Sequence, residues 1–349
     1  MDWTCTSEHQ VLEAVRNCAP GDRILVAPGT YEFEIPLQFW HTNFELVGSG
    51  RESTLLRSRF NLIQFHRVEE TGTIAIANLT FEAGRSDGSG AAFFCENLVI
   101  SFSDVHFRNN QLFDHPGSGG GAVALRYADA RFERCVFTGN RAPVGGAVSV
   151  MQSNKLEFLS CFFDNNQADQ GGDIFAQACR EVKVIGCTFG ERGRGVSRIQ
   201  VDCFSTSTTD VELRGNFFGG TLSPLSGNYA LLLNLDLQHN LFPPGSQGLL
   251  QLWDWDQDTR RTLVGGIPQG ADEVDGRPIL EVMREQIGSG NTLQNNAYQV
   301  AFLDPDPESG FTVHPRSPAG PLPPAPADLP PDLQGKERPE GSPVGCWSS

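Results

Sequence analysis

RFERCVFTGNRAPVGGAVSVMQSNKLEFLSCFFDNNQADQGGDIFAQACREVKVIGCTFG, residues 131–190, repeats one pattern three times. Cys135, Cys161 and Cys187 each open a Cys-x-Phe tripeptide, 26 residues apart. A fixed period with identical residue types in phase marks a stacked repeat architecture. Outward from this stretch the aromatic continues as Phe81, Phe107, Phe137, Phe163, Phe189, Phe218 and Phe242, at intervals of 26, 30, 26, 26, 29 and 24. Asparagine follows three residues later at Asn110, Asn140 and Asn166, and a Gly-Gly motif recurs in GGAV (120–123), GGAV (145–148) and GGDI (171–174).

The segments between these marks alternate or run apolar over four to six residues, as in AVALRY, KLEFLSCFF and VKVIGCTF. That is strand periodicity, punctuated by Gly, Asn and Asp, with no helical spacing between strands. Short strands that return every 26 residues predict an all-β, single-stranded, right-handed parallel β-helix. Each coil pairs its backbone with its neighbours about 4.8 Å away, so about eleven coils would make a rod roughly 50 Å long. Phe and Cys then stack as buried ladders, Asn as an amide ladder at a turn, and the Gly pairs supply bent corners.

The domain divides as 1–20, a capping helix; 21–320, the β-helix; and 321–349, a tail with eight prolines, read as extended and disordered. Ser7-Glu-His-Gln10 is a capping-box pattern opening an amphipathic helix. Such a helix covers the apolar mouth of the first coil.

The chain holds 38 glycines, 24 phenylalanines and only 4 tyrosines, which suits a dry tube interior. Its formal charge is −16. That speaks against nucleic acid as a partner, since phosphate contacts need Lys and Arg, and against general polyanion binding without calcium. No segment has the length of a transmembrane span. MDWTCTSEHQ has neither a basic region nor an apolar run, so no signal peptide is read in it. Of nine cysteines, Cys135, Cys161 and Cys187 read as packing. Parallel ladder neighbours neither converge on a metal nor aim at each other. Cys179 and Cys203, one coil apart, are the best-placed pair for a disulfide.

PGDRILVAPGTY (20–31), LVGSG (46–50) and FLDPDPESGFTVHPRSPAG (302–320) resemble the bacterial right-handed parallel β-helix repeat proteins of the pectin-lyase-like superfamily. The FxxN and GGA[VIL] pairs are similar to repeats of polymorphic outer-membrane adhesins of autotransporter type. The resemblance spans about residues 10–320. It implies the fold, and an extracellular or cell-surface location, with a cytoplasmic one left open. It leaves the activity open, because the superfamily holds lyases, hydrolases, esterases and adhesins. The C-terminal amphipathic strands of an autotransporter barrel are missing from this chain. Gly29-Thr-Tyr31-Glu-Phe33 meets the pectin methylesterase opening only in part, with Phe33 in the Glu place, and pectate- and alginate-lyase signatures are not found.

Three patches stand out as site candidates. In LWDWDQDTRR (252–261), Asp254, Asp256 and Asp258 alternate with Trp253 and Trp255. This is a calcium or sugar-stacking platform on one reading and a polar excursion on the other. It is not an EF-hand, because Thr259 stands where Gly is required. In RGRGVSR (192–198), Arg192 stands where Asn is expected, and with Arg194 and Arg198 it could clamp a carboxylate. In RNNQLFDHPGSGGG (108–121), the 30-residue coil carries Asp114 and His115 in an extension. With ladders dominating and no complete catalytic set, the expectation is a secreted or surface, adhesin-like β-helix that binds carbohydrate or a partner protein along its side. The alternative is a polysaccharide lyase or glycoside hydrolase acting on a uronate-containing polymer. No cofactor is required; calcium is the one ion the aspartates invite.

Overall fold

The computed structural model describes residues 1–39, 42–65, 72–113, 118–203, 208–228, 233–242, 250–254 and 259–263, short pieces between 273 and 315, and 326 with 328–338. It is a parallel β-helix. A 19-stranded sheet supplies two faces of the coil and a 10-stranded sheet the third. On the first face Asp129–Glu133 pairs with Lys155–Leu159, which pairs with Glu181–Ile185, all parallel. On the second, Val136–Thr138, Phe162–Asp164 and Thr188–Phe189 stack in turn. On the third, Val123–Arg126, Val148–Met151 and Ile174–Gln177 do the same. Nine of the ten strands on the third face are parallel, and the tenth, Thr259–Leu263, folds back antiparallel. Nine stacked parallel strands on the third face enclose about eight turns among the described residues, fewer than the eleven that length suggested.

The chain turns each corner with left-handed backbone. Between the first and second faces Asn78, Asp104, Arg134, Ser160, Gly186, Gly215 and His239 all have φ between 51° and 64°. Asn, Asp and Gly tolerate this conformation best; Arg134 and His239 hold it because neighbouring coils impose the register. Gly120, Gly145 and Gly171, the first of each Gly pair, have φ of 80°, 61° and 58° at the entry to the third face. A Cβ on Gly120 would lie 2.0 Å from the Val123 carbonyl oxygen, so the corner closes only with glycine.

Inside the tube, like stacks on like. Phe107, Phe137, Phe163, Phe189 and Phe218 lie ring on ring at 5.0, 4.8, 4.9 and 4.7 Å. Asn110 Nδ2 donates to Asn140 Oδ1, and Asn140 Nδ2 to Asn166 Oδ1, each at 3.0 Å. Cys135, Cys161 and Cys187 are fully buried free thiols, and the Cys161 N–H points to Cys187 Sγ at 3.3 Å. Above Cys187 the same column continues as Asn216, Asn240 and Asn296, bonded Nδ2 to Oδ1 at 3.0 Å. GNFF, HNLF and NNAY therefore place Asn where CVF, CFF and CTF place Cys.

Two expectations are corrected. Cys179 and Cys203 are both free; Cys203 Sγ donates instead to Thr209 Oγ1. Residues 1–20 are not helix alone, because Asp2–Cys5 is a strand paired with Arg23–Val26. The helix Glu8–Asn17 follows, N-capped by Ser7, and buries Val11, Ala14 and Val15. In the described part of the tail Leu329, Asp332 and Leu333 are buried.

Candidate functional site

Most outward charges on the first face are already neutralised. A cleft of about 510 Å³ runs over Thr73, Ala75, Val99 and Ser101, whose small side chains leave a trough. At its ends Arg23 pairs with Glu45 (2.9 Å) and Lys155 with Glu157 (3.0 Å). Asp129 accepts the backbone N–H groups of Asn154 and Lys155. Further up, Lys183 bridges Glu181 and Glu212. Such alternating ladders solubilise a sheet and hold its register; they leave little free charge for a ligand.

The loop side, after the second face, differs. Short parallel pairings continue there as a narrow fourth strip. Arg85 lies beside Gln111, Gln111 beside Arg141, Arg141 beside Gln167, and Gln167 beside Arg194. Stacked coils repeat every ~4.8 Å, so the three arginines recur about every 10 Å along the rod. All three are exposed. None forms an ion pair with a described residue. The signal was present in the sequence, four residues after each Phe in four coils and five in the last.

At its N-terminal end the strip opens into a cleft of about 500 Å³ lined by Glu34, Arg59, Phe60, Asn61, Arg85, Asp87 and Phe113. Phe60 is 52% exposed and Phe113 48%, among the most exposed large apolar side chains. Asn61 is buried; its Nδ2 donates to the Ser89 and Gly90 carbonyls, while its Oδ1 is buried without a partner.

The three arginines singled out in the sequence separate in space. Arg194 belongs to the strip. Arg192 is exposed and donates from Nε to Asp164 Oδ2 at 2.9 Å. Arg198 is 1% exposed, and no ligand can reach it. It points inward because its column on the third face runs Ala122, Ala147, Asp173, Arg198. Its Nη1 meets Asp173 Oδ2 at 3.2 Å and the Arg192 carbonyl at 3.1 Å; Nη2 reaches the Gly190 and Gly219 carbonyls. Asp173 Oδ1 in turn accepts Asn166 Nδ2 at 2.8 Å, ending the Asn ladder where Arg192 replaces Asn. The carboxylate clamp expected of Arg198 is thus internal, and its partner is Asp173.

Asp114, His115, Trp255, Asp256 and Asp258 lie outside the described residues. Trp253 and Asp254 fall in the strand Leu250–Asp254, opposite Arg260 and Thr259 of the antiparallel return strand. Among the described residues no group of three or more His, Cys, Asp or Glu side chains is placed to hold a metal. On the third face the Asp202 carboxyl is pushed above its ordinary range by burial; it accepts from Gln200 Nε2 and the Asn228 N–H. No described Lys or Arg forms an ion pair with it.

With the coil and its strip in view, the fold is a parallel β-helix, and residues 66–231 match the family model described as right handed beta helix region. Three similar solved structures are the ORF18 protein of Geobacillus virus E2, a PL6 family alginate lyase and a rhamnogalacturonan lyase. The first is 13% identical, covering 72% of this chain and 60% of that one, TM-score 0.43. The second is 12% identical, covering 91% and 56%, TM-score 0.41. The third is 15% identical, covering 69% and 74%, TM-score 0.39. The chain therefore spans little more than half the length of the first two. No curated protein sequence matches. The function rests on the chain's own residues.

Proposed function

We propose that the protein binds an acidic polysaccharide, without turning it over, along the loop-side strip, in a secreted or cell-surface setting. The observation that carries this is the in-register series Arg85, Arg141, Arg194, alternating with Gln111 and Gln167 and without ion pairs to described residues. Arginine matches carboxylate geometry better than lysine, and glutamine between arginines offers donors and acceptors to hydroxyls. The open rings of Phe60 and Phe113 suit the apolar face of a sugar. The overall charge of −16 opposes a polyanion only at low salt. At physiological salt the screening length is about 8 Å, so the local strip decides.

The test is binding of polygalacturonate and alginate, against neutral dextran and duplex DNA, by calorimetry on wild type and on Arg85→Ala/Arg141→Ala/Arg194→Ala. Each exposed arginine–carboxylate contact contributes ~0.5–1 kcal/mol, so the triple variant should bind about 10- to 100-fold more weakly. Equal binding by wild type and variant, or an equal affinity for dextran, would remove the strip from the site. Appearance of unsaturated or shortened product would overturn the non-catalytic reading.

A further inference from the structure

The kink between the first and second faces carries a second built feature. Beside it runs an outward column: Ser103, Glu133, Leu159, Ile185, Arg214, Gln238. Between Ser103 and Gln238 it is polar except at Leu159 and Ile185. In the same two coils and the next, the kink residues are small: Ser160, Gly186 and Gly215. Two adjacent apolar outward residues above a run of small corners make a shallow groove, closed below by Arg134 and above by Arg214.

The described part of the tail lies in that groove. Leu329 forms a separate apolar cluster with Leu159 and Ile185, apart from the tube interior. Its Cδ1 is 2.8 Å from where a Cβ on Gly215 would stand, so glycine at this left-handed corner leaves room for Leu329 as it is seated. Asp328 pairs with Arg214 at 2.6 Å. Ser160 Oγ donates to the Pro331 carbonyl, and Arg338 Nε to the Pro330 carbonyl at 2.8 Å. Leu333 is 1% exposed. Asp332 folds the next residues back: its Oδ1 accepts the N–H groups of Gln334 and Lys336, both at 2.9 Å. Pro330 and Pro331 supply carbonyl acceptors on backbone that is stiff before it docks, which lowers the ordering cost.

We infer that the groove formed by Leu159, Ser160, Ile185 and Gly215 is a binding site for a proline-rich peptide, and that its occupant is this chain's own segment 328–338. The segment acts as a strap across coils that otherwise touch only their neighbours. Its ligand chemistry is an acidic residue for Arg214, a leucine anchor, and a proline presenting its carbonyl to Ser160.

Hydrogen–deuterium exchange on the full chain tests this directly. In wild type the amides of residues 332–336 exchange more slowly than in a synthetic peptide spanning 326–338. In Leu329→Asp that difference disappears, while the coils keep their far-ultraviolet spectrum. A fluorescent 326–338 peptide then binds the Leu329→Asp chain in trans and does not bind wild type, whose groove is filled in cis at high effective concentration. Leu333→Asp is the second variant and gives the same two results. Tail amides that exchange at the free-peptide rate in wild type would overturn the strap. Failure of the peptide to bind either variant with intact coils would overturn the groove.

Discussion

Arg198→Met removes a guanidinium buried inside the tube. In the native protein that group neutralises Asp173, itself 0% exposed, and donates to the carbonyls of Arg192, Gly190 and Gly219. Met fills most of the volume and none of the hydrogen bonds. Removing one partner of a buried pair leaves a stranded charge and costs ~3–5 kcal/mol. Burial already holds the Asp173 carboxyl above its ordinary range, with Arg198 opposing that rise. Without Arg198 the carboxyl rises further. A raised folded-state pKa favours the folded state at low pH and penalises it as pH climbs through that value. The deficit of Arg198→Met is therefore largest at neutral pH and shrinks on acidification. Adding Asp173→Ala restores the alanine seen at positions 122 and 147 of the same column. The double variant should sit only ~1–3 kcal/mol below wild type, less destabilised than the single, because Asn166 Nδ2 still donates to the Phe137 carbonyl. Urea melts at two pH values read these differences, and hydrogen exchange localises them to coils 162–200, since solenoid stability is carried by nearest neighbours. A single variant within about 1 kcal/mol of wild type, or a double worse than the single, would refute the account.

Cys187→Asn extends the asparagine column by one rung, accepting from the Cys161 N–H and donating to Asn216 Oδ1. It should cost less than ~1 kcal/mol, whereas Cys187→Leu overpacks the column and costs ~1–3 kcal/mol; thermal melts separate the two. His106 is held neutral: burial, then Arg108 and Arg51, lower its pKa from 6.5 to about 3. Stability linked to it is present above 6.5 and falls as pH drops towards 3, and His106→Gln should flatten that slope in urea melts. Burial pushes the Cys179 thiol up to about 12 and raises Cys135 and Cys161 as well. Iodoacetamide at pH 8 should leave these three unmodified in the native protein and label them in urea; native labelling seen by mass spectrometry would contradict the buried ladder.

The loop-side strip and the strap show where reading the chain stops. Arg85, Gln111, Arg141 and Gln167 each follow a ladder Phe by four residues, so their phase was visible. Their freedom from ion pairs with described residues was not, because that depends on which acids the loops bring near. Arg194 was singled out together with Arg192 and Arg198 on composition alone, and only folding divides them into strip, surface pair and buried pair. Asp173 looked like a mere variant of GGAV until the neighbouring coil placed Arg198 beside it.

By itself the sequence determined the coil. A 26-residue recurrence of Phe, Cys, Asn and Gly-Gly leaves no other way to bury those side chains than stacking like upon like, so period and interior are local information. Tertiary structure alone decided how residues far apart in the chain meet. It placed Leu329 on Ile185, Asp328 on Arg214 and Arg198 on Asp173. The physical reason is register: a repeat dictates what stacks above each residue, but coils of 24 to 30 residues set their loops, corners and tail by packing against each other.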